Sequence, residues 1–414
     1  VADVQPLRAL HYDPAVAGEI SGLVAPPYDV IDAEHRARLA ARSPHNVVEV
    51  DLPEGGGDPY AHAAELFAAW QSEGAVVRDD QPALWALRQD YTGPDGRALT
   101  RDGFFCRIRV EDYGPGRIRP HERTHPGPKE DRLRLTRATR ANMSPIFCLH
   151  PGATLVRGEG EPFADVTDDD GTRHRLWRVA DADAIRTVQD ALADAELLIA
   201  DGHHRYETAR AYADEIGGDG AHRYVLACLV ALEDPGLTVF PTHRLVKETT
   251  PAQQEALAAT LRAEFDIEPV ERADLAPPQS DGLSEFGYID SHFRRPFRLR
   301  LSDQATADAA LPDAPEPYRR LDAAVLEALL LKGPLELTDD DISHLHRFGY
   351  ARDAEQALSL VESGAFDLAF LLRATPVEQV REVAASGASM PPKSTYFFPK
   401  LLTGLLFNPL YDEE

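Results

Sequence analysis

The stretch Leu197–Arg210, LLIADGHHRYETAR, sets the tightest limit on how this chain folds. Leu197, Leu198 and Ile199 form a short apolar run after a polar, Ala-rich segment, and Asp201 and Gly202 end it. From His204 onward the spacing is helical: Tyr206, Ala209, Ala213 and Ile216 recur three or four apart, on one face. The pattern predicts strand, tight turn, helix, with Asp201-Gly202-His203-His204-Arg205 at the turn and the first helical positions. A helix start carries N–H groups outside the helical ladder and the positive end of the dipole, so it suits an anion. Gly202 lets the backbone approach a ligand closely. Arg205 offers a bidentate grip on phosphate, and His203 or His204 a hydrogen-bond donor or a proton acceptor. A plain strand-to-helix turn, capped by Asp201 and with solvated histidines, has the same pattern. The residues alone leave both readings open.

The chain has 414 residues, enough for two or three domains. No apolar run approaches the roughly 18 residues of a membrane-spanning helix. The start, VADVQPLRAL, has neither the basic region nor the long apolar core of a signal peptide. Cys106, Cys148 and Cys228 form no CxxC pair, and buried thiols in a reducing cytoplasm are expected. A net charge of −26 opposes non-specific duplex binding while leaving room for a local anion pocket. Lysine occurs only at positions 129, 247, 332, 393 and 400, so Lys393 and Lys400, close together, stand out.

Two further polar clusters flank the focal turn in the sequence. Arg119-Pro120-His121-Glu122-Arg123-Thr124-His125-Pro126 is bracketed by prolines and reads as a loop. His121 and His125 have the spacing of a helical zinc pair, but the loop signals and the lack of a convincing third ligand argue against zinc. Glu122 reads as a general base or metal ligand between Arg119 and Arg123 as phosphate ligands, or the cluster is an exposed loop of local ion pairs. The tail cluster, Met390-Pro391-Pro392-Lys393-Ser394-Thr395, places a Lys-Ser-Thr set beside a rigid Pro-Pro without the glycines of a Walker A loop. A surface turn with one lysine is the plain alternative there.

The rest of the chain alternates strands and helices. Pro26 and Pro27 stiffen an extended segment that presents Tyr28 and Asp29, either as a site wall or as a structural turn. Helices are expected at Ala33–Ala41, Tyr60–Glu73, Pro128–Ala141, Ala182–Ala193, Pro251–Phe265, Tyr318–Leu331, Asp353–Glu362 and Pro376–Ala385. Strands are expected at Val47–Asp51, Ala83–Tyr91, Arg101–Val110, Ile146–Leu149, Tyr224–Leu232, Thr238–Phe240 and Phe366–Leu372, and a strand pair within Phe286–Leu301. Tyr224–Leu232 is apolar enough for a central strand. Asp165–Arg175 reads as a hairpin turning at Asp169-Asp170-Gly171, without the carboxylate spacing of a calcium loop. His243 and Arg244 either join a site or cap a sheet edge. No GxGxxG follows a strand and no GxSxG elbow is found, which removes the usual signatures of hydride transfer and of a serine hydrolase.

The segment DGHHRYETA resembles the phosphate-binding segment of the ParB/sulfiredoxin superfamily, where a Gly-x-x-Arg turn opens a helix, and is similar to the Asp-Gly-His-x-Arg turn of ParB-like free serine kinases. Over the whole chain, APPYDVI at Ala25–Ile31, RPHERT at Arg119–Thr124, ADGHHRYETA at Ala200–Ala209, PTHR at Pro241–Arg244 and MPPKSTYFFPKLLTGL at Met390–Leu405 resemble the domain-of-unknown-function family numbered 1015. The resemblance implies an α+β fold. A ParB/sulfiredoxin-like mixed-sheet core with large insertions occupies residues 1–247. A second α/β part occupies 248–414, with its tail packing back on the site.

The same resemblance, with the arginine-, histidine- and hydroxyl-rich clusters, implies a phosphotransferase or phosphohydrolase acting on a small phosphorylated metabolite, such as serine or phosphoserine with a nucleotide and Mg²⁺. In that reading Gly202, His203 and Arg205 bind the phosphate, with Ser394 and Thr395. Arg119, Arg123 and Lys393 neutralise charge. Glu122 is the general base, His204 takes part in proton transfer, and Asp201 or Asp29 supports Mg²⁺ or a substrate amine. Tyr28, Asp29, His121, His243 and Arg244 form the substrate wall. The implied cofactors are Mg²⁺ and ADP or ATP, with no zinc, haem or flavin. The implied partners are the metabolite and the nucleotide, with no membrane and no nucleic acid. The alternative is a nucleotide-binding, ParB-like regulatory or DNA-associated protein without metabolic catalysis. The acidic surface and the lack of a helix-turn-helix with a basic recognition helix weigh against it. A sulfiredoxin-like redox activity is disfavoured, because His203 or His204 stands where that family carries its cysteine.

Overall fold

The computed structural model describes residues 2–55, 57–93, 96–113, 117–122 and 126–412, with the backbone alone at 126–128. The fold is α+β, and the chain divides into two compact units. The first comprises Val1–Pro120, Thr124–Thr238 and Phe397–Glu414, and the second His121–Arg123 and Val239–Tyr396. The passage into the second unit therefore falls at Val239 rather than at the expected 248, and the last residues of the chain return to the first unit.

The first unit is built on a mixed sheet of nine strands among the described residues. Its order is Ile118–Arg119, Leu197–Asp201, Ile146–His150, Tyr224–Ala231, Ala98–Arg109, Leu84–Thr92, Arg173–Val179 and Ala164–Thr167, and Val4–Gln5 also pairs with Ala98–Arg109. The apolar run YVLACLVA occupies the interior position its composition predicts. It runs parallel to Ile146–His150 and antiparallel to Ala98–Arg109, with Val225 through Ala231 all buried. The expected hairpin forms with Trp85 opposite Phe105 and Thr92 opposite Ala98. The acidic hairpin turns where Asp168 Oδ1 accepts from the N–H groups of Asp170 (3.0 Å) and Thr172 (2.9 Å). Phe104, Ile108, Ile146, Leu197, Ile199, Tyr206, Ala209, Val225 and Leu229 belong to one core cluster, which joins the sheet to the helix His203–Ile216. All three cysteines are buried free thiols, as the sequence suggests.

A second cluster in this unit gathers Leu10, Tyr12, Val47, Val48, Val50, Phe67, Trp70, Leu135, Met143 and Phe407. It corrects one expectation. Val47–Asp51 was expected as a strand from its alternation, but Val48–Asp51 is one helical turn, with Val48, Val50 and Asp51 all buried. The side-chain Oδ1 of Asn46 accepts from the Val48 N–H at 3.1 Å and starts that turn.

The second unit carries a six-stranded antiparallel sheet in the order Phe265–Pro269, Phe297–Leu301, Glu285–Asp290, Leu368–Leu371, His243–Val246 and Phe348–Ala351. Three of these strands (His243–Val246, Phe265–Pro269 and Phe348–Ala351) were not expected from the sequence. The single helix expected at Tyr318–Leu331 is divided into Glu316–Arg319, Asp322–Leu326 and a π-helical turn, Glu327–Leu331. Pro251–Glu264 begins with a reciprocal capping box between Thr250 and Gln253. Among the described residues, no helix is long and apolar enough to cross a membrane.

Candidate functional site

The strand Leu197–Asp201 delivers the focal turn. Its pairing with Ile146–His150 shifts register between Ile199 and Asp201, and this irregularity comes immediately before the turn. Gly202 takes φ +94° and ψ 27°, the left-handed region, and opens the fourteen-residue helix His203–Ile216. The positive φ favours glycine here, and a Cβ at Gly202 would sit tightly, 3.1 Å from both Arg205 Nε and Ile146 Cγ2. Arg205 folds back over the glycine. Its Nη1 donates to the Pro145 carbonyl, and its Nη2 lies 3.7 Å from Asp201 Oδ1. Asp201 Oδ2 accepts from Lys400 Nζ at 2.8 Å. The carboxylate thus faces two cations, and Gly202 itself holds the cap position that the plain reading gave to Asp201. His203 is buried and His204 half-buried.

Beside Arg205 lies a cavity of about 40 Å³, with Tyr28, Asp51, Arg132, Ser144 and Thr208 among its lining residues. Arg132 is only 6 % exposed although it sits in a basic helix. Its Nη1 donates to the Asp51 carbonyl (2.7 Å) and to Asp51 Oδ1 (3.1 Å), and its Nε to Asp131 Oδ2 (2.7 Å). Its guanidinium stands 4.3 Å over the Tyr28 ring. Burial alone would lower the Arg132 pKa, but Asp51 and Asp131 outweigh it and the net shift is upward. Burial raises the Asp51 carboxyl, with Arg132 and Arg205 opposing, and pushes the Tyr28 hydroxyl up to about 12, so Tyr28 stays a donor at neutral pH. Ser144 Oγ lies 2.6 Å from Thr403 Oγ1. The pocket thus offers guanidinium and hydroxyl donors around one carboxylate, in a space large enough for water or a small oxyanion.

The remaining residues singled out in the sequence are placed as follows. Arg119 lies on the edge strand and pairs with Glu196 at 2.5 Å, and Asp29 is exposed in the turn Tyr28–Val30. Arg123 and His125 lie outside the described residues. Within the second unit, His121 Nε2 is 2.9 Å from Thr395 Oγ1, the His121 carbonyl accepts from Met390 N at 2.7 Å, and Glu122 bridges to Met390. Arg244, buried, donates to the carbonyls of Thr242 (2.6 Å), Lys393 (3.0 Å) and Pro392 (3.1 Å) and stacks on Tyr350 at 5.0 Å. Ser394 Oγ donates to the Pro391 carbonyl at 2.6 Å. His243 Nδ1 accepts from Leu372 N at 3.2 Å, and burial holds its pKa down to about 4. Arg244 and Ser394 therefore anchor the Pro391–Thr395 turn in this structure.

Within the first unit, the structure brings Tyr28 together with Arg205 around one pocket, next to the Asp201–Gly202 turn. It adds Asp51, Arg132, Ser144 and Thr208, which sequence reasoning did not single out, and Lys400, whose rarity was the one available signal. Among the described residues, no group of three or more His, Cys, Asp or Glu could hold a metal ion. Asp201 already faces Lys400 and Arg205, so its carboxylate does not fit as the holder of a resident Mg²⁺.

A family model described as "Protein of unknown function (DUF1015)" matches residues 4–324. Comparison with curated proteins finds no match. Similar solved structures include a conserved hypothetical protein from Pyrococcus furiosus, at 16 % identity and TM-score 0.35, covering 68 % of this chain and 87 % of that one. A variant free serine kinase in complex with ADP is similar at 13 % identity and TM-score 0.37, covering 68 % of this chain and 84 % of that one. SbnI with C-terminal truncation from Staphylococcus aureus is similar at 11 % identity and TM-score 0.35, covering 69 % and 82 %.

Proposed function

For a chain that belongs to the DUF1015 family of proteins of unknown function, we propose a phosphoryl-transfer role: it binds a small phosphorylated metabolite at the Asp201–Arg205 turn and transfers or hydrolyses the phosphoryl group. The observation that carries this reading is the left-handed Gly202 opening a fourteen-residue helix, with Arg205 folded over it beside a polar pocket. A glycine turn at a helix start suits an anion, and a planar guanidinium suits its oxygens.

On binding, the phosphate competes with the Pro145 carbonyl and Asp201 for Arg205. Lys400 supplies a second positive charge at the same carboxylate. The protonated Tyr28 hydroxyl and the hydroxyls of Ser144 and Thr208 supply neutral donors around the pocket. His203 or His204 moves a proton. ADP or ATP is the phosphoryl partner in the kinase direction.

The test is a phosphorus NMR time course on the purified chain with phosphoserine and Mg²⁺, with and without ADP. New orthophosphate without ADP identifies a phosphohydrolase, and new ATP identifies a reversible kinase. Arg205→Ala is expected to slow either reaction by about a hundredfold, the scale of removing one charge-stabilising donor. The general-base role read for Glu122 is tested by Glu122→Gln in the same assay. Wild-type turnover in Arg205→Ala removes the assignment of the turn. Nucleotide binding without turnover replaces catalysis by a binding role.

A further inference from the structure

We infer that a buried row of side chains across three strands of the first unit positions Lys400 at the Asp201–Arg205 turn, which makes Arg101 and Gln89 positioning residues of the phosphoryl-transfer site. The inference rests on the reading of that turn as the anion site.

His174, Gln89 and Arg101 stand directly opposite one another on neighbouring strands, His174 in register with Gln89 and Gln89 with Arg101. All three are buried. Their hydrogen bonds fix one another. Gln89 Oε1 accepts from Arg101 Nε (3.0 Å) and Nη2 (2.6 Å), which sets the orientation of the amide. Gln89 Nε2 then donates to His174 Nδ1 (3.2 Å) and to the Lys400 carbonyl (3.0 Å). His174 therefore carries its proton on Nε2 and donates to Asp168 Oδ2 at 2.8 Å. Arg101 completes the set. Its Nη1 and Nη2 donate to the Phe398 and Pro399 carbonyls at 3.1 and 2.5 Å, and its guanidinium lies 4.7 Å from the centre of the Phe147 ring.

Three consecutive tail carbonyls, at 398, 399 and 400, thus end on two side chains of this row. They lie where the strand Tyr396–Phe398 stops, so donors outside a strand ladder have to meet them. Thr403 exchanges both backbone hydrogen bonds with Ala25, at 3.1 and 2.8 Å. The backbone is held on both sides of Lys400, whose Nζ reaches Asp201 Oδ2 at 2.8 Å. A lysine head on its four-carbon stem is ordinarily mobile, and here both of its ends are defined. The acceptors of Arg101 are all uncharged oxygens among the described residues, and burial brings its pKa down only to about 10, so it stays a cation at neutral pH. A buried charge is a poor device for stability, because an apolar side chain of similar volume often serves as well. A planar fork of donors is suited to holding several carbonyls in fixed directions.

The test reads the Lys400 side chain directly. The chain has five lysines, so labelling with ¹³C-lysine resolves their ε-methylene signals, and Lys400→Arg identifies the one required. Gln89→Glu still accepts from Arg101 but has no N–H for the Lys400 carbonyl. Gln89→Asn withdraws the amide by one methylene without a new charge. In the wild type the two ε-protons of Lys400 are expected at separate shifts, as in a held side chain. Both variants are expected to merge them while the thermal unfolding transition is retained. This readout needs no substrate, so it decides the positioning role whether or not phosphoserine is consumed. In the phosphorus NMR assay, Gln89→Glu is expected to lower turnover on the order of tenfold, and to cause no further loss in a Lys400→Met background. Merged ε-protons in the wild type, separate ones in the folded Gln89 variants, or an equal loss of turnover in the Lys400→Met background would each overturn the proposal.

Discussion

His243 is a buried histidine whose environment fixes both its tautomer and its charge. Nδ1 accepts from the Leu372 N–H, which requires the neutral ring, and burial, helped by Arg244 and opposed by Asp353, holds its pKa down to about 4. The ordinary value of 6.5 applies once the chain unfolds. A depressed folded-state pKa means that the unfolded chain takes up the proton first. Its contribution to stability is therefore full above about pH 6.5 and is lost as the pH falls through 4, about 3 kcal/mol in all. His243→Gln is expected to flatten the pH dependence of the urea midpoint between pH 6.5 and 4, and an unchanged slope there would rule His243 out as the source. At this scale the sequence names chemistry without partners. It marks Arg205 and Tyr28, but Asp51 and Arg132 meet across 81 positions, and nothing local to either announces the other. Arg132 even carries a misleading signal, because its neighbours make it look like part of a solvated face.

The helix Pro126–Thr139 shows the same gap between composition and placement. Its sequence is the one strongly basic helical segment, the natural candidate for a phosphate backbone. In the structure its cations are matched: Lys129 to Glu207 (2.8 Å), Arg132 to Asp51 and Asp131, Arg134 to Glu130 (3.1 Å) and Arg137 to Glu215 (2.9 Å). Matched cations release few counterions from DNA, so the electrostatic drive for duplex binding is small. The chain is expected to leave a random duplex unshifted in a gel at about 50 mM salt, where a face of free arginines would bind strongly. A salt-sensitive shift would show that these ion pairs open for nucleic acid. Elements are legible where length and punctuation agree. The strand, glycine and fourteen-residue helix at 197–216 combine an apolar run, a left-handed glycine and sustained periodicity. Val48–Asp51 has four residues, too few for period two to differ from a single helical turn, and tertiary burial of both valines decides it.

For the molecule as a whole, the sequence punctuation at Thr249-Thr250-Pro251 marked a boundary near residue 247, but those residues are the capping box of a helix inside the second unit. Cap chemistry and linker chemistry use the same residues, so the change of unit at Val239 was not readable. The chain leaves the first unit after Thr238 and re-enters it at Phe397, and both ends meet the same residue. The Tyr91 hydroxyl lies 2.6 Å from Thr238 Oγ1, and the Tyr91 ring is 5.4 Å from the Phe398 ring. Replacing Val239–Tyr396 by a short Gly/Ser linker therefore closes a small gap at a modest loop-closure cost. That variant is expected to unfold in one cooperative transition with the far-ultraviolet signature of the mixed sheet. Simple truncation after Tyr396 is expected to abolish the transition. It would remove the buried Phe397 and Phe407, each worth about 3–5 kcal/mol. It would also take from the fully buried Arg101 the Phe398 and Pro399 carbonyls that it contacts at 3.1 and 2.5 Å. Those losses together match the whole stability of a typical domain, about 5–15 kcal/mol. A truncated chain that still melted cooperatively, or a linked chain that did not, would show that the first unit is not completed by its returning C-terminal segment.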